Sequence, residues 1–415
     1  MPARCATSRP SPARPATTWS NSRPSAKNSS TSCAGVDMRS RIGSLAARAV
    51  GAAAALVLLA GLALMFWPDP RIELPVPGAD DAPRAGPSAM SLAVLGDSNS
   101  HSYQDRITFP LTSSERGGAL RAGTLQWTEV LARLRGDEID LGPWVAWGRW
   151  GPVAAAREAL GLGGDRSPRK EDFLFNFANS GAACRHLTTG RYRQAQRLVA
   201  VMDEDPGRWQ RGVVVIRIGL NDWGGLMEAQ SRNPDVPQTQ ATIDMCTRRI
   251  GEAMKMIHAA HPEVRLIVVG VANESDDPAY FDRWLSKAET DNIAAALERF
   301  NAALRKLAEA ESHTVFFDDN AWVREHWGSR DANGRPAYKT VTIGKSLEVM
   351  NTADDAPNNA ILGDHHAGLV YNTLWAQSMT RLLHDRLGLA VTPIRDDEVV
   401  RFVEALTKRT AVPVR

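Results

Sequence analysis

Four short polar stretches of this chain carry residue types that acyl transfer uses. Gly96-Asp97-Ser98-Asn99-Ser100 offers Ser98 as a candidate nucleophile. A serine is weak at neutral pH and needs a base. Asp364-His365-His366 supplies imidazoles beside a carboxylate, Asn179-Ser180-Gly181-Ala182 a glycine N–H, and Gly219-Leu220-Asn221-Asp222 a side-chain amide. Combined, these parts make a reaction. Ser98 attacks an ester carbonyl, and His366 takes its proton and returns it to the leaving alcohol. The N–H groups of Ser98 and Gly181, with the Asn221 amide, hold the oxyanion, and such donors usually supply the largest share of the rate.

These residues need a scaffold that brings four distant stretches to one edge. Ser91 to Gly96 is a short apolar run of the kind that makes a buried strand. Similar runs at 172–178, 212–218, 265–271 and 314–317 predict four more strands. Helical patterns fall at 126–134, 193–202, 241–259, 290–312, 370–387 and 395–407, with 319–362 reading as loop-rich and polar. Strands alternating with helices predict an α/β domain with a mostly parallel sheet covered on both faces. Ser98, Gly181 and Asn221 then lie at strand ends on one edge, where such sheets carry their ligands.

The four blocks, in this order, resemble the SGNH (GDSL-type) hydrolase family over about residues 90–387. The resemblance implies a three-layer α/β/α sandwich with a flavodoxin-like sheet. It implies Ser98 as nucleophile, Gly181 and Asn221 as oxyanion donors and His366 as base. It also implies ester substrates such as carbohydrate O-acetyl esters, simple acyl esters or lysolipids. The chain departs from the family in its last block, where the acid usually stands three residues before the base. Gly363 occupies that place, and Asp364 stands two before His366. Asp364 orients the imidazole through a shortened turn, or Asp354, Asp355 or a backbone carbonyl does so and leaves a Ser-His dyad. His365 is the alternative base, but Ala367-Gly368 fits the family only if His366 is chosen.

Other features have plainer readings. His101 reads as a local cap or rim residue. Trp144, Trp147 and Trp150 suggest sugar stacking in a cleft, against the more common reading of a satellite packing cluster. The His365-His366 pair has no matching ligand spacing elsewhere, so no metal is assigned, and no cofactor is called for. Cys184 and Cys246 can pair in an oxidising compartment.

Charge divides the chain. Residues 1–48 hold eight Lys/Arg and one acid, the remainder 41 Lys/Arg and 46 acids. The mildly acidic remainder argues against a nucleic-acid footprint. Residues 1–48 read as a disordered basic leader, with Met38 opening a start-like sequence. Ala49 to Trp67 is nineteen residues without a charge, preceded by Arg39, Arg41 and Arg48. It reads as one transmembrane signal anchor with the basic side cytoplasmic, the alternative being a cleaved signal peptide. Residues 68–87 read as a linker, 88–390 as the hydrolase domain and 391–415 as a C-terminal helix and tail. The expectation is a membrane-anchored serine esterase, single-pass, with its catalytic domain on the periplasmic or extracellular side. Its partners are an acylated carbohydrate or lipid and the membrane. The rivals are an envelope polysaccharide O-acetyltransferase, whose alginate-type relatives use Asp-x-His, and a catalytically inactive glycan-binding module.

Overall fold

The computed structural model describes residues 37–66, 69–79, 83–162, 165–345 and 347–410. The leader expected over 1–48 lies outside the described residues as far as residue 36. The chain divides into two compact units, Met1–Ala63 and Leu64–Arg415.

The first unit contains most of one helix, Asp37–Phe66. Val50, Leu56, Val57, Leu58, Leu59 and Leu62 are exposed on it. Among the described residues, no helix is long and apolar enough to cross a membrane. The anchor expected over 49–67 therefore rests on sequence, and Trp67 lies outside the described residues.

The second unit is built on five parallel strands. Their spatial order is Ile139–Asp140, Met90–Gly96, Val213–Arg217, Arg265–Val269, Thr314–Phe317. In chain order this is 2-1-3-4-5, the flavodoxin-type winding, with its switch point beside Met90–Gly96. Successive side chains of a strand point to opposite faces, and the two cores follow that alternation. Ala93, Leu95, Val214, Ile216, Leu266 and Val268 face one core, with Leu198, Ile250, Met254, Leu297 and Phe300 from three helices. Leu92, Val94, Val213, Val215, Ile267 and Val269 face the other, with Val130, Trp375, Met379 and Val403. The result is the expected α/β/α sandwich.

Three sequence expectations need correction. The run 172–178 is not one strand of the main sheet. Lys170–Phe173 joins Trp144–Trp147 and Ile72–Glu73 in a separate antiparallel sheet. The chain then turns, and residues 175–179 run beside Met90–Gly96 through a bridge of Asn176 to Val94 and backbone hydrogen bonds at Phe175, Phe177 and Asn179. The physical reason is Asp172, whose buried carboxylate binds Lys170 (2.7 Å), Ser102 (2.6 Å) and Asn176 (3.1 Å), fixing a local knot that a continuous strand would break.

Second, 319–362 is not plain loop. It holds a helix, Asp319–Trp327, and five short strands in two small sheets. Third, 68–87 is not a free linker. Ile72–Glu73 pairs with Val145 and Ala146, Leu74 and Val76 pack on the core, and Asp69 binds Arg169 (2.8 Å). The C-terminal helix Asp396–Thr410 likewise packs Val399, Val403 and Leu406 into a core.

Candidate active site

The strand Met90–Gly96 delivers Ser98 to the edge of the sheet. Gly96 is needed there, because a Cβ would sit 2.4 Å from the Arg217 carbonyl of the neighbouring strand. The Gln194 side chain clamps its peptide from both sides, accepting from the N–H and donating to the carbonyl (each 2.8 Å). The Asp97 carbonyl accepts from Ser100 (3.2 Å) and His101 (3.1 Å), so the chain turns at once into a helical bend with Ser98 on its outer side. The Asp97 side chain is buried and accepts from the Asn99 N–H (3.0 Å). Burial pushes its carboxyl up to about 7, against that hydrogen bond and Arg217.

The oxyanion candidates converge on the same place. Gly181 has φ +71°, a left-handed conformation that glycine adopts without strain, and a Cβ there would meet nothing within 4 Å. Among the described residues no carbonyl or side chain accepts from the N–H of Ser98 or Gly181. Asn221 Nδ2 donates one hydrogen to the Ala182 carbonyl (2.9 Å), which leaves the other free. The next residue, Asp222, accepts from the Cys184 N–H (2.7 Å), and Cys184 is disulfide-bonded to Cys246. The Gly181 loop is thus pinned by Asn221, Asp222 and a disulfide.

His101 is a buried strut, not a rim residue. Its Nδ1 accepts from the Ser180 N–H (3.2 Å), so Nε2 carries the proton and donates to Asp105 (2.9 Å). Burial holds His101 toward the neutral form. Burial opposes the charge of Asp105 too, but the hydrogen bonds from His101, Thr108 and the Glu171 N–H win and lower its carboxyl to about 2.

The last block forms a tight turn. Leu362 N donates to the His366 carbonyl (2.7 Å) and His365 N to the Leu362 carbonyl (2.9 Å), with His365 at φ +67°. The turn sends the two rings apart. His365 lies edge-on to Tyr280 (5.2 Å), while His366 turns toward Asp364. Gly363 N donates to Asp355 Oδ1 (3.0 Å), which occupies Asp355 in bracing the turn.

His366 Nδ1 lies 2.9 Å from the main-chain carbonyl of Asp364 and 3.2 Å from its Oδ1. Oδ1 has no hydrogen-bond partner, so the imidazole N–H direction favours the carbonyl. Burial opposes the Asp364 charge, but His366 and Arg116 outweigh it and hold the carboxyl far below the usual range. Arg116 is buried, with φ +58°, and no motif marked it in the sequence.

Ser98, Gly181, Asn221, Asp364 and His366 all line one cleft of about 650 Å³. Among the described residues no hydrogen bond joins Ser98 to His366; such bonds commonly tighten only when substrate is bound. Sequence reasoning missed Glu115, Arg116, Gly224, Gly225, Glu274 and Tyr280 in the same wall. Glu274 is pushed up to about 7 by burial and by Asp277 and Asp97. The tryptophans stand elsewhere. Trp144 and Trp147 are buried, edge-on to Phe173 and Phe177, and Trp150 is exposed outside the cleft.

A flavodoxin-type sheet with a serine, an imidazole and free N–H donors at one edge defines a class, the serine ester hydrolases. The chain belongs to the GDSL-like lipase/acylhydrolase family, whose model matches residues 94–338. The match takes in Ser98, Gly181 and Asn221 and ends before His366. No curated protein sequence matches. Among solved structures, the chain is similar to an extracellular lipase from Streptomyces rimosus at 16% identity and TM-score 0.33, over 60% of this chain and 86% of that one. It is similar to an acetyl-xylooligosaccharide esterase from Geobacillus at 13% and 0.34, over 72% and 94%. It is also similar to phospholipase A1 from Streptomyces albidoflavus at 14% and 0.27, over 60% and 92%. At these TM-scores the likenesses decide nothing further about this chain.

Proposed function

We propose that this chain is a membrane-anchored esterase that cleaves short acyl esters, of the O-acetyl kind, through an acyl-serine intermediate. The observation that carries the reading is the single cleft shared by Ser98, His366, Gly181 and Asn221. Ser98 Oγ bonds to the ester carbonyl carbon as its proton passes to His366 Nε2. The carbonyl oxygen gains charge and takes the N–H groups of Ser98 and Gly181 and the free Asn221 hydrogen. The C–O bond to the alcohol breaks, and His366 returns the proton to that alcohol. A water then repeats the sequence and frees the acid. Asp364 orients His366 from the same turn.

Cleft composition supports a short acyl group. Leu220 and Tyr280 are its larger apolar walls, too little surface to bury a long chain. An acetylated sugar suits the remaining wall of glycines and hydrogen-bonding groups. Outward placement is supported by Arg39, Arg41 and Arg48 ahead of the apolar run and by the Cys184–Cys246 disulfide, which suits an oxidising compartment.

The test is a screen of the purified chain against acetyl, butyryl and octanoyl esters and an acetylated oligosaccharide, with products identified. Acetyl esters should be cleaved fastest, and Ser98→Ala should abolish cleavage with thermal stability nearly unchanged. A variant keeping more than about a tenth of the activity rules Ser98 out as nucleophile.

A further inference from the structure

One buried side chain ties the base loop to the oxyanion loop. Arg116 Nη1 donates to Asp364 Oδ2 and lies 2.9 Å from His366 Nδ1. Its Nη2 donates to Ser180 Oγ (3.2 Å), one residue before Gly181. Its backbone N–H donates to Asp364 Oδ2 as well (2.8 Å). The guanidinium lies over the rings of Phe109 (4.5 Å) and Tyr103 (5.4 Å), and the Tyr103 hydroxyl donates to the Ala367 carbonyl (2.9 Å). A planar fork can hold a carboxylate and a hydroxyl at fixed angles, which a lysine cannot.

The ring nitrogen Nδ1 has one in-plane direction, and two groups compete for it. With the proton on Nδ1, the Asp364 carbonyl accepts it, and Nε2 is left free to act as base. With the proton on Nε2, Arg116 donates to Nδ1, and the ring cannot accept from Ser98. The Asp364 carboxylate, gripped twice by Arg116, sits off the ring N–H direction. Resting on the esterase reading above, we infer that Arg116 is the positioning residue of this site. It takes the Asp364 carboxylate as its own counter-ion, leaves the main-chain carbonyl as the partner of His366, and holds Ser180 so that Gly181 presents its N–H.

The titratable and charged groups around His366 are Asp364 and His365 in its turn, Asp355 at Gly363, and Glu115 and Arg116 on the facing loop. Tyr103 lies behind Ala367, and Glu274 and Tyr280 stand in the opposite wall. Of these, Arg116 and Asp364 are the ones in direct contact with Nδ1. Removing the guanidinium removes a positive charge from beside the imidazolium. It also frees the carboxylate to turn onto Nδ1. Both changes favour the protonated ring.

The experiment measures kcat, KM and the pH dependence of kcat/KM on acetyl ester for the full chain in detergent. The variants are Arg116→Gln, Arg116→Lys, Asp364→Asn and the Arg116→Gln/Asp364→Asn double, with Ser98→Ala as control. Arg116→Gln is expected to move the acid limb up by about one pH unit or more. It should lower kcat at least about tenfold with KM little changed, because a lost positioning contact acts on the transition state. Arg116→Lys keeps the charge and loses the fork, so its limb should stay in place while kcat falls. In the double variant the limb should return toward wild type. An unmoved limb in Arg116→Gln, or wild-type kcat in Arg116→Lys, overturns the assignment. If Arg116→Gln does not fold, imidazole NMR of folded Ser98→Ala protein decides. A carbonyl-bonded Nδ1–H sharing with the Nε2–H tautomer is expected, and a single far-downfield carboxylate-bonded Nδ1–H overturns it. Failure of Ser98→Ala to lose activity marks instead a failure of the esterase reading.

Discussion

At Asp97, the residue before Ser98, burial sets a pH dependence of stability. Asp97 has a folded pKa near 7 against an ordinary 3.8. Between those values the folded protein keeps a proton that the unfolded chain has released. Stability is therefore full near pH 4, declines as pH rises through that window, and levels off above about 7. Asp97→Asn removes the titration and keeps an oxygen for the Asn99 N–H. It is expected to raise Tm at pH 8 and to leave it nearly unchanged at pH 4. Thermal melts at the two pH values check this, and an equal difference at both would show that the Asp97 charge is not what burial penalises. Asp105 works in the opposite sense. Its pKa is lowered to about 2, so its contribution to stability is full above the ordinary carboxylate range and is lost as pH falls toward 2.

At the scale of the element, the Gly181 loop depends on a cross-link 62 residues long in sequence. Closing such a loop removes unfolded-chain entropy worth about 4 kcal/mol in the chain-entropy account. The double replacement Cys184→Ser, Cys246→Ser should lower stability by roughly that amount or somewhat less. Because Asn221 and Asp222 still hold the loop, kcat at a temperature well below the melt should fall only a fewfold. Denaturant unfolding with kinetics on the same sample tests both parts. The elements that carry this loop were legible in the sequence, since apolar runs ending in small polar residues state both the strand and its end. Ser98 and Asn221 were singled out for that reason, while Gly181 and His366 were singled out by the block pattern of the resemblance. Arg116 was not, because its function lies in contacts to residues 64 and 248 positions away, and its own neighbours, Glu115 and Gly117, look like any loop. The strands between 328 and 361 were hidden differently. They are three to seven residues long and partly exposed, so neither an apolar run nor a clean alternation announces them. At 172–178 the apolar pattern was real, but it belonged to two pieces joined around Asp172.

At the scale of the whole molecule, the boundary between the apolar helix and the α/β unit decides how the chain can be cut. A linker over 68–87 would let the catalytic unit begin at residue 88 without loss. Instead, Leu74 N donates to the Trp144 carbonyl (2.9 Å), and Leu74 and Val76 are half-buried against the core. Asp69 accepts from the Gly148 N–H (3.1 Å) and binds Arg169, tying the entry of the chain to the side sheet. Half-burial of two aliphatic side chains alone is worth about 2 kcal/mol. A chain beginning at Asp69 should therefore melt several degrees above one beginning at Ser88, with equal kcat on acetyl esters, because none of the described residues of 69–87 lines the cleft. Both should stay in the supernatant after membrane sedimentation. The full chain, carrying Ala49 to Trp67, should sediment with membranes and resist carbonate extraction. A mature N-terminus found just after Ala63 would replace the anchor with a cleaved signal. Equal melting of the two shortened chains would return residues 69–87 to the role of a tether.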